Sequence, residues 1–171
     1  IDRINNPERP LPSGKVSRRA ASVMAVISLI VGVLGSIPLG IFPFFIVITA
    51  ALLLFAYSAY IKRTLASNFL VALIAGMSFL LGGLVVHNAL CVIPFIFSIF
   101  IHVPREIVKD VMDMTGDKTA GIKTIPIVAG PITAYNISSI VLGLLCAILP
   151  LPYLFRLLNT AYILIVLLIA Y

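Results

Sequence analysis

Residues 41–60 read IFPFFIVITAALLLFAYSAY, a run of twenty residues without a single charge. About 20 apolar residues are enough for an α-helix to cross the hydrocarbon core of a bilayer. A backbone exposed to lipid must satisfy its own hydrogen bonds, and a helix does so within one segment. This stretch therefore predicts a transmembrane helix.

Apolar segments of similar character recur along the chain. They lie at residues 20–37, 41–60, 69–86, 89–104, 129–149 and 159–171, separated by proline, glycine or charged residues. Hydrophobic residues make up 61% of the chain and charged residues 11%, whereas a soluble domain is only about half apolar. These observations predict an all-α membrane protein, a multi-span bundle of about six helices that forms one domain over residues 1–171.

Both ends of the chain interrupt this pattern. The first residue is Ile1 rather than Met, and Tyr171 lies inside an apolar run that is too short to cross a bilayer. We therefore expect residues 1–171 to belong to a longer transmembrane domain, truncated at both ends.

The charged residues are confined to alternate connections between the apolar segments. Residues 1–19, 61–68 and 105–128 contain all six acidic residues and every basic residue except Arg156. The positive-inside rule places these three connections on the cytoplasmic side of the cell membrane. Attraction to the anionic cytoplasmic leaflet explains the net charge of +6 better than nucleic-acid binding does.

Four acidic residues, Glu106, Asp110, Asp113 and Asp117, follow one another at helical spacing. At about 100° per residue, they occupy an arc of roughly 60° on one face of a helix. Like charges at this spacing repel each other unless a cation neutralises them. Mg²⁺ suits such a stripe, since it usually takes one or two carboxylates and completes its shell with water and phosphate oxygens.

An ordinary solvated helix face is the alternative explanation of the stripe. Its acids would then form weak surface pairs with neighbouring cations, namely Arg105, Lys109, Lys118 and Lys123. The stripe by itself leaves both explanations open.

Two other charged connections favour a binding site. Residues 2–14 read DRINNPERPLPSG, in which three prolines predict a stiff, non-helical loop that presents Asp2, Asn5 and Arg9. Lys62 follows the end of a predicted helix on the same side. The alternatives are an ordinary interfacial connector for the loop and a snorkelling side chain for the lysine.

Together these residues resemble the UbiA superfamily of intramembrane prenyltransferases. That family has two Asp-rich motifs, the first continuing into Asn-x-Pro-x-Arg-Pro-Leu-Pro-Ser-Gly and the second reading Asp-x-x-Asp-x-x-x-Asp. Residues 2–14 match the end of the first motif, and Asp110, Asp113 and Asp117 match the second. The resemblance implies a nine-helix fold, of which this chain would supply about six helices.

The resemblance extends to the other loops. Tyr57, Lys62 and Asn68 are similar to the family's second cytoplasmic loop. Residues 105–110 and 121–126 most resemble archaeal digeranylgeranylglyceryl phosphate synthases. The earlier aspartates of the first motif would precede Ile1.

The resemblance implies a Mg²⁺-dependent transfer of a polyprenyl group from a polyprenyl diphosphate to an acceptor. The implied metal ligands are Asp2, Asp110, Asp113 and Asp117, the last three also being catalytic together with Tyr57. The implied diphosphate-binding residues are Asn5, Arg9, Lys62, Lys109 and Lys118. The expected acceptor is geranylgeranylglyceryl phosphate in archaeal ether-lipid synthesis, and membrane lipids would surround the protein.

Two alternatives stay open for the function. An aromatic acceptor, as in quinone, haem or chlorophyll pathways, would leave the same diphosphate chemistry in place. A transporter with a cytoplasmic acidic vestibule would need ionisable groups inside its spans, for which His87 and His102 are the candidates near span ends.

Overall fold

The computed structural model describes residues 2–170, with the side chains of residues 3–168. Its α-helices are α1 (Asp2–Asn5), α2 (Arg18–Ser36), α3 (Ile41–Ala59), α4 (Ser67–Val85), α5 (Val92–Thr119), α6 (Ile125–Ala129), α7 (Pro131–Ile148), α8 (Leu151–Leu154) and α9 (Thr160–Ala170). Short 3-10 turns occupy Ile37–Leu39, Ile61–Arg63 and Ala89–Cys91. The all-α prediction is confirmed.

Among the described residues, five helical segments are long and apolar enough to cross a bilayer. They are Arg18–Leu39, Ile41–Ala59, Ser67–Val85, Ala89–Thr119 and Pro131–Leu154. The second and third have 19 residues each and so are about 28 Å long, which matches the hydrocarbon core. The last apolar segment of the sequence forms α9, of which 11 residues are described; this length does not reach across.

Local sequence signals explain where the helices begin. The Ser17 hydroxyl accepts a hydrogen bond from the Ala20 backbone N–H at 3.1 Å and so caps α2. Gly40 and Gly130 separate consecutive helices and have φ angles of 110° and 87°. Residues with a Cβ atom rarely adopt such positive φ angles, whereas glycine does so readily. Pro131 then occupies the first turn of α7, where a missing N–H costs no helical hydrogen bond.

The bundle is organised around α5, which packs against α4 on one side and α7 on the other. The most buried side chains at these contacts are Ala72 of α4, Ile107 of α5 and Ala134 of α7, each at most 1% exposed. Small residues let the backbones approach closely, as is usual between helices in a membrane. Most apolar side chains of α2 and α3 are exposed instead, and lipid would cover them.

Two glycines of α4 lie directly against neighbouring groups. A Cβ atom at Gly76 would lie 2.9 Å from the Phe95 ring. A Cβ atom at Gly83 would overlap the Cys91 side chain and lie 2.9 Å from the carbonyl oxygen of Asn88. The adjacent Gly82 has no such neighbour within 4 Å.

We expect Gly83→Ala to destabilise the bundle by about 1–3 kcal/mol, because the added methyl group forces α4 and the turn before α5 apart. Gly82→Ala is the matched control, since it adds the same methyl group to open space and improves helix propensity. Unfolding of both variants in mixed detergent micelles measures the difference. Equal stabilities would show that the close approach at Gly83 is not required.

The three charged connections meet at one end of the bundle. The Asn5 side chain contacts Asp113, and the Asn68 side chain contacts Asp110. The backbone N–H of Lys123 donates to the carbonyl oxygen of Arg63 at 3.4 Å. Residues 1–19, 61–68 and 105–128 therefore come together, although they are far apart in the sequence.

Candidate functional site

The predicted carboxylate stripe lies on α5, which continues through Pro104 to Thr119 as one helix. A polar cavity of about 170 Å³ opens beside it at the charged end of the bundle. The residues that line this cavity are Arg9, Tyr57, Lys62, Ser67, Asn68, Glu106, Lys109, Asp110, Asp113, Asp117, Ile122 and Thr124. Most predicted site residues thus surround one cavity, which we call the carboxylate cavity.

Two predicted residues lie outside this cavity, and the side chain of a third is not described. Lys118 is exposed and Asn5 is half-buried, and neither of them lines the carboxylate cavity. Lys118 stands about 120° around α5 from Glu106, outside the arc of the stripe. The side chain of Asp2 lies outside the described residues, so its predicted role as a metal ligand stays a prediction.

Asp110 is held by α4. The amide nitrogen of Asn68 donates to Asp110 Oδ2 at 2.8 Å, and Asn68 itself is 6% exposed. The Ser67 hydroxyl donates to Asn68 Oδ1 at 3.3 Å. Hydrogen bonds of this kind orient a carboxylate that is otherwise free to rotate, so the start of α4 supports the Asp110 side chain.

Glu106 differs from the aspartates because cations compensate it directly. Arg105 Nη1 lies 2.7 Å from Glu106 Oε1, and Lys109 Nζ lies 3.6 Å from Oε2. The Glu106 side chain is only 10% exposed, whereas those of Arg105 and Lys109 are 64% and 47% exposed. Glu106 therefore positions Lys109 at the rim of the carboxylate cavity.

Asp113 is connected to residues 2–14, which we call the opening loop. The first four of these residues form α1, so the prediction of a non-helical segment was wrong for them, because the prolines begin only at Pro7. The Asn5 amide nitrogen donates to the Asp113 carbonyl oxygen at 3.0 Å and to Asp113 Oδ1 at 3.2 Å. The Asn5 amide oxygen accepts from the backbone N–H of Gly116 at 3.0 Å. One side chain of the first motif thus holds two residues of the second.

Thr124 and Ser67 line the carboxylate cavity, although neither was predicted as a site residue. Thr124 is 4% exposed, and its Oγ1 atom is buried without a hydrogen-bond partner among the described residues. Gly121, at a φ of 67°, reverses the chain after α5, and Ile122 N–H donates to the Asp117 carbonyl oxygen at 3.0 Å. Gly121 in the sequence indicates this turn, but the position of the Thr124 hydroxyl depends on how the turn packs against the bundle.

The donor set fits a hard divalent cation. Within the described side chains, no three His, Cys, Asp or Glu residues form a compact metal-binding group. Mg²⁺ does not need one, since it usually binds one or two carboxylates and takes its other oxygens from water and phosphate. Asp110, Asp113 and Asp117 offer such carboxylates around one cavity, and the buried Thr124 hydroxyl still requires a partner there.

The chain is similar to several proteins named digeranylgeranylglyceryl phosphate synthase. It is 38% identical over 156 residues to the digeranylgeranylglyceryl phosphate synthase of Sulfolobus acidocaldarius, covering 90% of this chain and 57% of that protein. It is 39% identical over 132 residues to the enzyme of the same name from Methanothermobacter thermautotrophicus, covering 76% of this chain and 47% of that protein.

A solved structure of digeranylgeranylglyceryl phosphate synthase superposes on the bundle with a TM-score of 0.74 at 35% identity. The match covers 98% of this chain and 61% of that one. The matched region therefore spans about half to three fifths of the length of these relatives. The UbiA prenyltransferase family matches residues 1–171, and the chain belongs to this family.

Proposed function

We propose that the carboxylate cavity is the diphosphate site of an enzyme that transfers a polyprenyl group from a polyprenyl diphosphate to a lipid acceptor, with Mg²⁺ as cofactor. The observation that supports this most directly is the composition of the cavity. Asp110, Asp113 and Asp117 line it together with the cations Arg9, Lys62 and Lys109. Acidic side chains alone would be suited to bind a metal ion, and basic side chains alone would be suited to bind a phosphate. A cavity that contains both is suited to bind a metal ion together with a diphosphate.

Each group has a distinct task in this proposal. Asp110, Asp113 and Asp117, together with Asp2, would hold Mg²⁺, which supplies charge neutralisation to the departing diphosphate. Arg9, Lys62 and Lys109 would bind the remaining diphosphate oxygens. The resemblance adds Lys118 and Asn5 to this set, but neither of them lines the carboxylate cavity. Positive charge that is already in place costs no reorganisation during the reaction.

The allylic carbon of the donor becomes positive as its bond to diphosphate breaks. The hydroxyl oxygen of the acceptor then forms a bond to that carbon and loses its proton to the released diphosphate. Tyr57 is half-buried and lines the carboxylate cavity, so its ring is our candidate for stabilising the developing cation. Apolar helix faces of the bundle would house the prenyl chain and exclude water, which would otherwise quench the cation.

The relatives suggest the identity of the two substrates. Their name, digeranylgeranylglyceryl phosphate synthase, supports a geranylgeranyl donor and geranylgeranylglyceryl phosphate as the acceptor, in archaeal ether-lipid synthesis. The location of the cations at one end of the bundle supports a cytoplasmic site in the cell membrane. Membership of the UbiA prenyltransferase family favours this function over a transporter.

Product analysis tests the proposal. Full-length protein in membranes would receive isoprenoid diphosphates of graded length, Mg²⁺, and either glyceryl phosphate lipids or aromatic acids. We expect a digeranylgeranyl lipid product from the geranylgeranyl donor. An aromatic product would instead assign the chain to the other branch of the family, and release of free diphosphate without transfer would contradict the proposal.

Asn68 provides a sharper test of the cavity itself. We expect Asn68→Leu, which keeps the branched shape of the side chain but removes the donor to Asp110, to lower metal affinity or turnover by about 10- to 100-fold. Ser67→Ala, which removes only the hydroxyl behind Asn68, should have a much smaller effect. Initial rates across a Mg²⁺ titration measure both. Equal rates in Asn68→Leu and the wild-type protein would show that Asp110 needs no support.

A further inference from the structure

Asn5 uses both ends of its amide group on α5. Its nitrogen donates to the carbonyl oxygen and to Oδ1 of Asp113, and its oxygen accepts from the backbone N–H of Gly116. A side chain that bound diphosphate would direct its donor into the carboxylate cavity. Asn5 does not line that cavity, and its donor instead contacts a residue that does.

Gly116 makes this contact possible. A Cβ atom at Gly116 would lie 2.6 Å from Asn5 Nδ2 and 2.7 Å from Asn5 Oδ1, closer than any side chain tolerates. Glycine is a poor helix former, yet Gly116 lies within the last turns of α5 and is buried. Its position is explained by the close approach of a polar side chain to the helix backbone.

We infer that Asn5 is a positioning residue, which orients the Asp113 carboxylate for Mg²⁺, and that Gly116 admits it to the helix. This inference rests on the proposed function. The Asn5 contact fixes one carboxylate oxygen from the side of the opening loop, as Asn68 fixes an oxygen of Asp110 from the side of α4. Loss of a partner of this kind typically lowers metal affinity or activity by about 10- to 100-fold.

The experiment compares Asn5→Ala, Gly116→Ala, the double variant and Gly82→Ala in the full-length protein. Gly82→Ala is the control, because it adds a methyl group within a helix where nothing lies within 4 Å. The first readout is the Mg²⁺ concentration that gives half of the thermal stabilisation in the presence of inorganic pyrophosphate. The second is the Mg²⁺ dependence of transfer, with the KM of the donor measured at saturating Mg²⁺.

We expect both single variants to raise the Mg²⁺ midpoint by about 10- to 100-fold in both readouts. The KM of the donor at saturating Mg²⁺ should stay at the wild-type value. The double variant should resemble either single variant, because both remove the same contact and their effects are then not additive. Gly82→Ala should match the wild-type protein.

Two results would overturn the inference. One is an unchanged Mg²⁺ midpoint with a raised KM for the donor in Asn5→Ala, which would make Asn5 a diphosphate ligand. The other is full additivity in the double variant. Should Asn5→Ala fail to fold, Gly116→Ala still decides the question, since alanine favours the helix. A wild-type protein without any Mg²⁺ response would instead refute the proposed function.

Discussion

Asp113→Ala is expected to lower prenyl transfer by about 1,000-fold or more. The carboxylate stands in the middle of the stripe and lines the carboxylate cavity. A bound metal contributes several kcal/mol to charge stabilisation in the transition state, and about 4 kcal/mol corresponds to a factor of about 1,000. Single-turnover rates with saturating donor and Mg²⁺ measure the effect on the chemical step.

The loss should reflect chemistry rather than unfolding. Asn5 also binds the backbone of Asp113 and of Gly116, and these contacts do not involve the deleted carboxylate. Glu8→Ala is the matched control, because Glu8 is an exposed acid of the opening loop that does not line the cavity. Near-normal turnover in Asp113→Ala would refute the assignment of the metal site.

Removal of divalent cations with a chelator is expected to abolish transfer while the helical bundle stays folded. Without a metal, the carboxylate cavity is partly neutralised by its own cations, since Lys109 lies beside Glu106 and Lys62 also lines the cavity. Much of the packing between α4, α5 and α7 is made by apolar side chains that bind no metal, such as Ala72, Ile107 and Ala134. Circular dichroism and transfer assays on the same sample separate the two effects.

Adding Mg²⁺ back should restore the activity without a refolding step. Two results would contradict the expectation. Full activity in the chelated protein would show that its own cations are enough to release diphosphate. Loss of helical signal on chelation would show that the metal is structural, so that the carboxylates are needed for folding rather than for reaction.

Much of the fold follows from quantities that are local in the sequence. The length of an apolar run determines whether a helix can cross a bilayer, and the run at residues 41–60 became α3 with little change. Helical periodicity likewise predicts that Asp110, Asp113 and Asp117 share one face of α5. The same helical angles place Lys118 outside the stripe. Its predicted role in binding diphosphate came from the resemblance to the family and not from helical periodicity.

Contacts between distant segments could not be predicted in this way. Asn5 and Asp113 are 108 residues apart, and Asn68 and Asp110 are 42 apart. Their side chains meet because α4 and α5 pack closely and the opening loop folds back over the end of α5. No local pattern encodes such distances, and the same holds for the buried hydroxyl of Thr124.

The amino-acid sequence alone determined that this protein is a helical membrane bundle with four of its six acids on one helix face, because hydrophobic length and helical period are properties of single segments. Only the tertiary structure decided which neighbour orients each carboxylate and where the cations stand. Those positions depend on packing between distant segments. Gly116 is an example, because its missing side chain leaves the space in which the Asn5 amide lies.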